Sequence, residues 1–181
     1  DAPVGEPFAR LLGLDDPVID INVTADRPDC LGVHGVAREL AAAGIGKLRA
    51  PNLSAVPGRF DSPVKWLRDL PADQQHLCPY VVGRYFRGVK NGPSPKWLQD
   101  KLLAIGLRPI SVLVDITNYF TFGLNRPLHV FDAGKVTGNL RIHPAQGGET
   151  LPALDGRTYT LAPGQMVISD DHGPESLAGI M

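Results

Sequence analysis

The chain has 181 residues, 43% of them hydrophobic and 20% charged, and 18 basic side chains set against 19 acidic ones leave a net charge of -1. That is enough for one full core or two small ones, without the compositional bias of a disordered or fibrous protein. No apolar run reaches the roughly 18 residues that a membrane span needs, so the expectation is a soluble, cytoplasmic, globular chain. Cys30 and Cys78 are too few and too far apart for a disulfide framework or a C-x-x-C metal knuckle, and both are expected as buried thiols.

Residues 18 to 24, V-I-D-I-N-V-T, alternate apolar and polar side chains and predict a half-buried strand. After the loop A-D-R-P-D-C, the spacing of Val33, Val36, Ala37, Leu40 and Ala41 predicts a helix over 31 to 43, with Asp29 upstream as its cap and Gly44 as its stop. Prolines at 51, 57, 63 and 71 make residues 51 to 76 a connector, apolar only at V-K-W-L-R-D-L from 64 to 70. Pro79 to Lys90 reads as a strand ending at the Asn91-Gly92 turn. Ser94-Pro95 opens a helix whose apolar face is Leu98, Leu102 and Ile105 and which Gly106 ends. From Val112 to Phe122 the recurrence of Val112, Ile116 and Phe120 favours a helix stopped by Gly123, with a strand as the alternative because of the β-branched content. Short apolar runs at 140 to 142, 159 to 161 and 166 to 168, separated by Gly-Gly, Asp-Gly and Pro-Gly, predict hairpins.

Charge is unevenly placed. Residues 77 to 108 hold Arg84, Arg87, Lys90, Lys96, Lys101 and Arg108 against Asp100 alone, a local +5, whereas residues 1 to 29 carry a local -5. A polyanion would therefore approach the middle of the chain, through cations such as Arg84, Arg87 and Lys90. The competing reading is an ordinary solvated face.

No nucleophile elbow, phosphate-binding loop or paired-histidine motif is present, and the five histidines are scattered, so neither covalent nor metal catalysis is expected. The densest polar set is Asp115, Thr117, Asn118 and His129 within I-S-V-L-V-D-I-T-N-Y-F-T-F-G-L-N-R-P-L-H-V-F-D at 110 to 132. Thr117, Asn118 and His129 could hold a water and a carbonyl, while Asp115 reads as a buried acceptor or cap. By pattern alone, His129 between Leu128 and Val130 also fits a satisfied core residue.

The order V-D-I-T-N-Y then P-L-H-V-F-D resembles the beta subunits of bacterial phenylalanyl-tRNA synthetases in their central editing module. The blocks at 15 to 40, 83 to 90, 93 to 99, 154 to 161, 166 to 171 and 176 to 181 follow the same family order. The resemblance implies hydrolysis of misacylated tyrosyl-tRNA(Phe), with Thr117, Asn118 and His129 catalytic and Ala178 and Gly179 as the small-residue floor of the substrate pocket. The alternative for Ala178-Gly179 is a tight strand-to-turn junction. It further implies tRNA(Phe), the alpha subunit and the rest of the beta subunit as partners. No cofactor is implied for this piece, and ATP and magnesium are implied for the whole synthetase reaction.

Chemistry supplies a motive for such a site. An apolar phenylalanine site rejects an isostere bearing one extra hydroxyl by only about 10²-fold, while a site that hydrogen-bonds that hydroxyl discriminates by about 10⁴ to 10⁵ in the opposite sense. In two respects this chain departs from the family pattern. Arg126 stands where Gln is common, placing a cation beside the pocket, and the acid that reads the tyrosine hydroxyl in the family falls beyond Met181, so the resemblance leads us to expect a fragment. Alternative readings are a non-catalytic, tRNA-contacting module of the same subunit and a free-standing deacylase. The expected fold is mixed α+β: an N-terminal strand and helix in 1 to 50, a proline-rich connector in 51 to 76, and in 77 to 181 a mixed or antiparallel sheet with covering helices.

Overall fold

A computed structural model describes residues 2 to 179. The chain is α+β and divides into two compact units, Asp1–Ser54 with Val89–Val130, and Ala55–Gly88 with Phe131–Met181. This grouping cuts across the segments 1 to 50, 51 to 76 and 77 to 181 expected from the sequence.

The first unit is helical. It contains α1 (Phe8–Leu11), a 3-10 turn at Pro28–Cys30, α2 (Val33–Ala42), α3 (Lys96–Ala104) and α4 (Val112–Leu124). Helices α2 and α3 stop as the glycine positions predicted. In α2, Ile45 N–H donates to Leu40 O at 2.9 Å and Gly44 N–H to Ala41 O at 3.1 Å, with Gly44 left-handed. In α3 the same pair runs from Leu107 to Leu102 and from Gly106 to Leu103. Both are Schellman closures, which satisfy carbonyls that the helix itself leaves open.

The starts of these helices differ from expectation. Asp29 does not cap α2; its carboxylate pairs with Arg27 at 3.0 Å and with Arg38, and Arg27 also reaches Glu39 at 2.7 Å. Gly35 then packs against the Asp29 backbone so closely that a Cβ would lie 1.8 Å from Asp29 O. Ser94 does not cap α3 either. Pro95 occupies the cap position, and the Ser94 hydroxyl donates instead to Asp115.

That bond belongs to the best-anchored element. Asp115 is 0% exposed, and its two carboxyl oxygens accept from Ser94 Oγ and from Ile110 N–H at 2.9 Å. The first turn of α4 has no side-chain cap of its own. Its open N–H groups are met from about 20 residues upstream, Val112 N–H donating to Gly92 O at 2.8 Å and Leu113 N–H to Asn91 Oδ1 at 3.3 Å, which satisfies donors every helix start exposes. Leu98 and Leu102 of α3 are fully buried, and Trp97 meets Tyr119 of α4 edge to face at 5.7 Å. The helix does not stop at Gly123. It runs on to Leu124 and ends at left-handed Asn125, whose amide donates to Pro28 O at 2.6 Å. Asparagine tolerates that conformation better than most residues, so it serves where a glycine was expected.

The second unit holds the sheets. Strands β1 (Trp66–Arg68), β2 (Leu140–Pro144), β3 (Thr150–Pro152), β4 (Thr158–Thr160), β5 (Met166–Ser169) and β6 (Pro174–Leu177) form a four-stranded sheet in the order β1-β2-β5-β6 and a two-stranded β3-β4 hairpin. β1 lies parallel to β2, and the remaining pairs are antiparallel. Successive strand residues face opposite sides. Ile168 accordingly joins Leu70, Leu140 and Ile142 in one core cluster, while Val167 joins Ala145, Leu151 and Leu161 in another. Burial on both faces explains why β5 reads as a continuous apolar run rather than an alternation. Beyond β5, buried Asp170 accepts N–H bonds from Thr137, His172 and Gly173. Burial alone would raise its pKa, but these donors outweigh it and hold the carboxyl below the usual range.

Two predicted strands are absent. Residues 18 to 24 make no ladder, and Ile19 is 77% exposed. Residues 79 to 90 are likewise without strand pairing. Alternation specifies which face a strand would bury, but a strand also needs a neighbour for its backbone groups, and among the described residues neither segment has one. Conversely, the expected connector supplies β1, the core residue Leu70 and a 3-10 helix at Ala72–Leu77. The cysteines are half-buried rather than buried.

Asp115→Ala leaves Ser94 and Ile110 without their acceptor and is expected to destabilise the protein by about 1–3 kcal/mol in urea denaturation, with Asp115→Asn, which keeps one acceptor, losing less. The Arg27 bond holds the Asp29 carboxyl down from the ordinary 3.8 to about 2. Its contribution to stability is therefore complete above about pH 4 and lost as pH falls through about 2. Asp29→Asn should lower thermal stability at neutral pH and match the native protein near pH 2; an equal deficit at both would refute the linkage.

Candidate functional site

Thr117 and Asn118 both lie half-buried on α4. Asn118 is three residues beyond buried Asp115, hence on the same helix face, so fixing Asp115 fixes the rotation at which Asn118 is presented. The Thr117 hydroxyl donates to Val114 O at 2.7 Å, and its own carbonyl accepts from Thr121 Oγ1 at 2.9 Å. With that proton committed to the backbone, the remaining lone pairs of Thr117 Oγ1 are acceptors, suited to a water or an ammonium rather than to nucleophilic attack.

His129 stands in the exposed loop that leaves α4, beyond Arg126, which is exposed as well and donates its backbone N–H to Phe120 O at 3.2 Å. An exposed imidazole is not the sealed core histidine that its apolar neighbours suggested. Thr117, Asn118, Arg126 and His129 therefore belong to one unit and to one helix with its outgoing loop.

Ala178 and Gly179 lie in the sheet-bearing unit. Ala178 follows β6, donates its N–H to Met166 O at 2.9 Å and packs on the Ile168 cluster, and Gly179 turns the chain with a φ of 79°. This geometry is that of a strand-to-turn junction in which neither residue projects a bulky side chain. Ile180 and Met181, the end of the family block at 176 to 181, lie outside the described residues.

Arg84 and Arg87 are exposed on the irregular segment 79 to 88, and Lys90 is exposed just beyond it. Arg84 Nη2 donates to Val56 O at 2.6 Å, and the Arg87 guanidinium lies 4.2 Å above the Phe60 ring. Both cations are held rather than freely swinging.

Some constellations were invisible in the sequence. His143 Nε2 lies 2.9 Å from Ser169 Oγ across β2 and β5, beside a cleft of about 320 Å³ lined by Asp69, Leu70, Pro71, His143, Pro144 and Gln146. Twenty-six residues separate the pair, so only strand pairing could have found it. A second cleft of about 400 Å³ lies along Ala37, Leu40, Ile45 and Leu48. None of the predicted site residues lines either cleft. Asp29, Cys30 and Glu39 also bring ligand-type atoms together, but Arg27 and Arg38 already neutralise both carboxylates. Withdrawal from water pushes the Cys30 thiol up, against the pull of Arg27 and with reinforcement from the two acids, so the set forms an ion-pair knot around a protonated sulfur.

Comparison with known proteins bears directly on this geometry. Residues 77–181 match the family model described as the B3/4 domain. The chain is 61% identical over 181 residues to the phenylalanine–tRNA ligase beta subunit of Cereibacter sphaeroides, 59% to that of Rhodopseudomonas palustris and 58% to that of Mesorhizobium japonicum. In each case the match covers 100% of this chain and 22% of the relative, so the chain spans about a fifth of the length of the curated relatives it matches. With α4 and its flanking loop falling inside the matched region, the chain belongs to the B3/4 domain family.

Proposed function

We propose that this chain is the editing part of a phenylalanine–tRNA ligase beta chain and hydrolyses the ester of misacylated tyrosyl-tRNA(Phe). The observation that supports it most strongly is end-to-end identity of 56–61% with such beta subunits, across the segment that holds Thr117, Asn118 and His129. An aminoacyl ester is already reactive, so a positioned water and donors to the developing oxyanion suffice, and no strong base is required. On this reading Asn118 and His129 donate to the oxyanion and the ester, while Thr117, its proton engaged by Val114, accepts from the water or the substrate ammonium. Arg126 contributes a cation near the acceptor end. Arg84, Arg87 and Lys90 bind tRNA phosphates. Aminoacylation, with ATP and magnesium, would belong to the whole ligase with its alpha chain and the rest of the beta chain, in the cytoplasm.

The reading of a non-catalytic, tRNA-contacting module has one observation in its favour: the Thr117 hydroxyl bond to Val114 O is what a threonine makes in any helix interior. The two readings separate on ester loss. With the complete ligase and tyrosyl-tRNA(Phe), His129→Ala combined with Asn118→Ala is expected to slow hydrolysis by about 10²-fold or more; equal rates would eliminate the catalytic reading. Neutralising Arg84, Arg87 and Lys90 is expected to weaken tRNA binding and flatten its dependence on salt by roughly one slope unit for each phosphate that is no longer neutralised, and an unchanged slope would remove those cations from the interface.

A further inference from the structure

The segment 79 to 88 is fixed in place without belonging to a sheet. Gly83 lies against Trp66 so closely that a Cβ would come within 1.9 Å of the indole Nε1. Arg84 is bonded to the carbonyls of Val56 at 2.6 Å and Pro57 at 3.2 Å. Arg87 covers Phe60 at 4.2 Å, and Phe60 in turn meets Tyr85 edge to face at 6.2 Å. Three anchors thus hold a segment that leaves two of its rings in the open, Tyr80 78% and Phe86 66% exposed. Arg84 sits 6.0 Å from the Phe86 ring.

Large exposed rings on a pinned backbone suit a partner that brings flat faces. The residues between and around them are cationic: no carboxylate occurs from 79 to 90, whereas Arg84, Arg87 and Lys90 do. A purely apolar protein partner would desolvate those charges without bringing a counter-charge to them. Duplex RNA would offer phosphates but no open base faces. We propose that residues 79–87 form a stacking platform for unpaired nucleotides of RNA, Tyr80 and Phe86 taking base faces while Arg84 and Arg87 meet the backbone phosphates. This rests on the reading of an RNA substrate given above, but it concerns residues that need touch no ester.

The test is fluorescence anisotropy with a labelled, non-self-complementary oligoribonucleotide, single-stranded and annealed to its complement. The proteins compared are native, Phe86→Leu, Tyr80→Leu and Arg87→Lys, with thermal melting to verify that each folds. Each leucine variant keeps apolar bulk at an exposed position and is expected to bind the single strand about tenfold more weakly, with duplex affinity unchanged. Arg87→Lys keeps the charge, loses the planar stack on Phe60 and should also weaken the single strand. Native affinity in both leucine variants, absence of single-strand binding by the native protein, or a native dimer that Phe86→Leu dissolves in sedimentation would each overturn the proposal, the last assigning the surface to a second copy. Because the oligonucleotide carries no ester, this outcome is independent of the hydrolysis assay: loss of single-strand binding in Phe86→Leu, with ester loss indifferent to His129 and Asn118, would retain the platform and discard the editing reading.

Discussion

A single buried carboxyl sets the frame for the helical unit. Asp115 cannot be placed in the interior without partners, since an unsatisfied buried polar group costs of the order of a hydrogen bond or more. Its partners, Ser94 and the backbone of Ile110, come from the residues that precede α3 and α4. Satisfying the carboxyl therefore brings the two helix starts together and fixes α4 about its axis. Leu98 and Leu102 are buried in the same unit, but hydrophobic burial is non-directional and would not by itself select the face that α4 turns outward.

The sheet unit solves a different problem. Its central strands are covered on both faces by short pieces drawn from distant parts of the sequence, Leu70 packing with Ile168 and Leu151 of the β3-β4 hairpin with Val167. Small clusters of this kind leave many backbone groups to be satisfied by side chains rather than by long ladders. Asp170 serves three N–H groups in this way, and Glu149 serves those of Gln146 and Gly147. Acids here act mainly as turn formers, and the depressed pKa of Glu149, caused first by the Gln146 N–H, reflects that duty.

The elements legible in the sequence were those determined locally. Gly44 and Gly106 marked helix ends because only a residue free of a Cβ takes that conformation cheaply, and Asp115 could be recognised as structural because it stood in an apolar frame. Elements that depend on distant partners were misread or missed. The Asn91-Gly92 pair reads as the turn that ends a strand and instead supplies the acceptors for the first turn of α4. Ser94 looked like a cap and is a partner for Asp115. The alternation over residues 18 to 24 names a strand for which the described residues provide no neighbour, and His143 with Ser169 could be paired only by strand register. For the candidate site, position on α4 and its loop was legible from the motif, whereas the Thr117 bond to Val114 and the exposure of His129 required coordinates.

Helix α4 borrows both of its ends. Its first turn is closed by Asn91 and Gly92, and its last is tied through Asn125 to Pro28, which lies 97 positions away in the chain. The motif V-D-I-T-N-Y is consequently not a portable cassette: grafted onto another scaffold without the loop before α3 and the turn before α2, it would arrive as an uncapped helix with an orphaned acid. The helix that presents the motif is thus held by remote clasps, Asn91 and Gly92 ahead of α3 and Pro28 ahead of α2, as much as by its own residues.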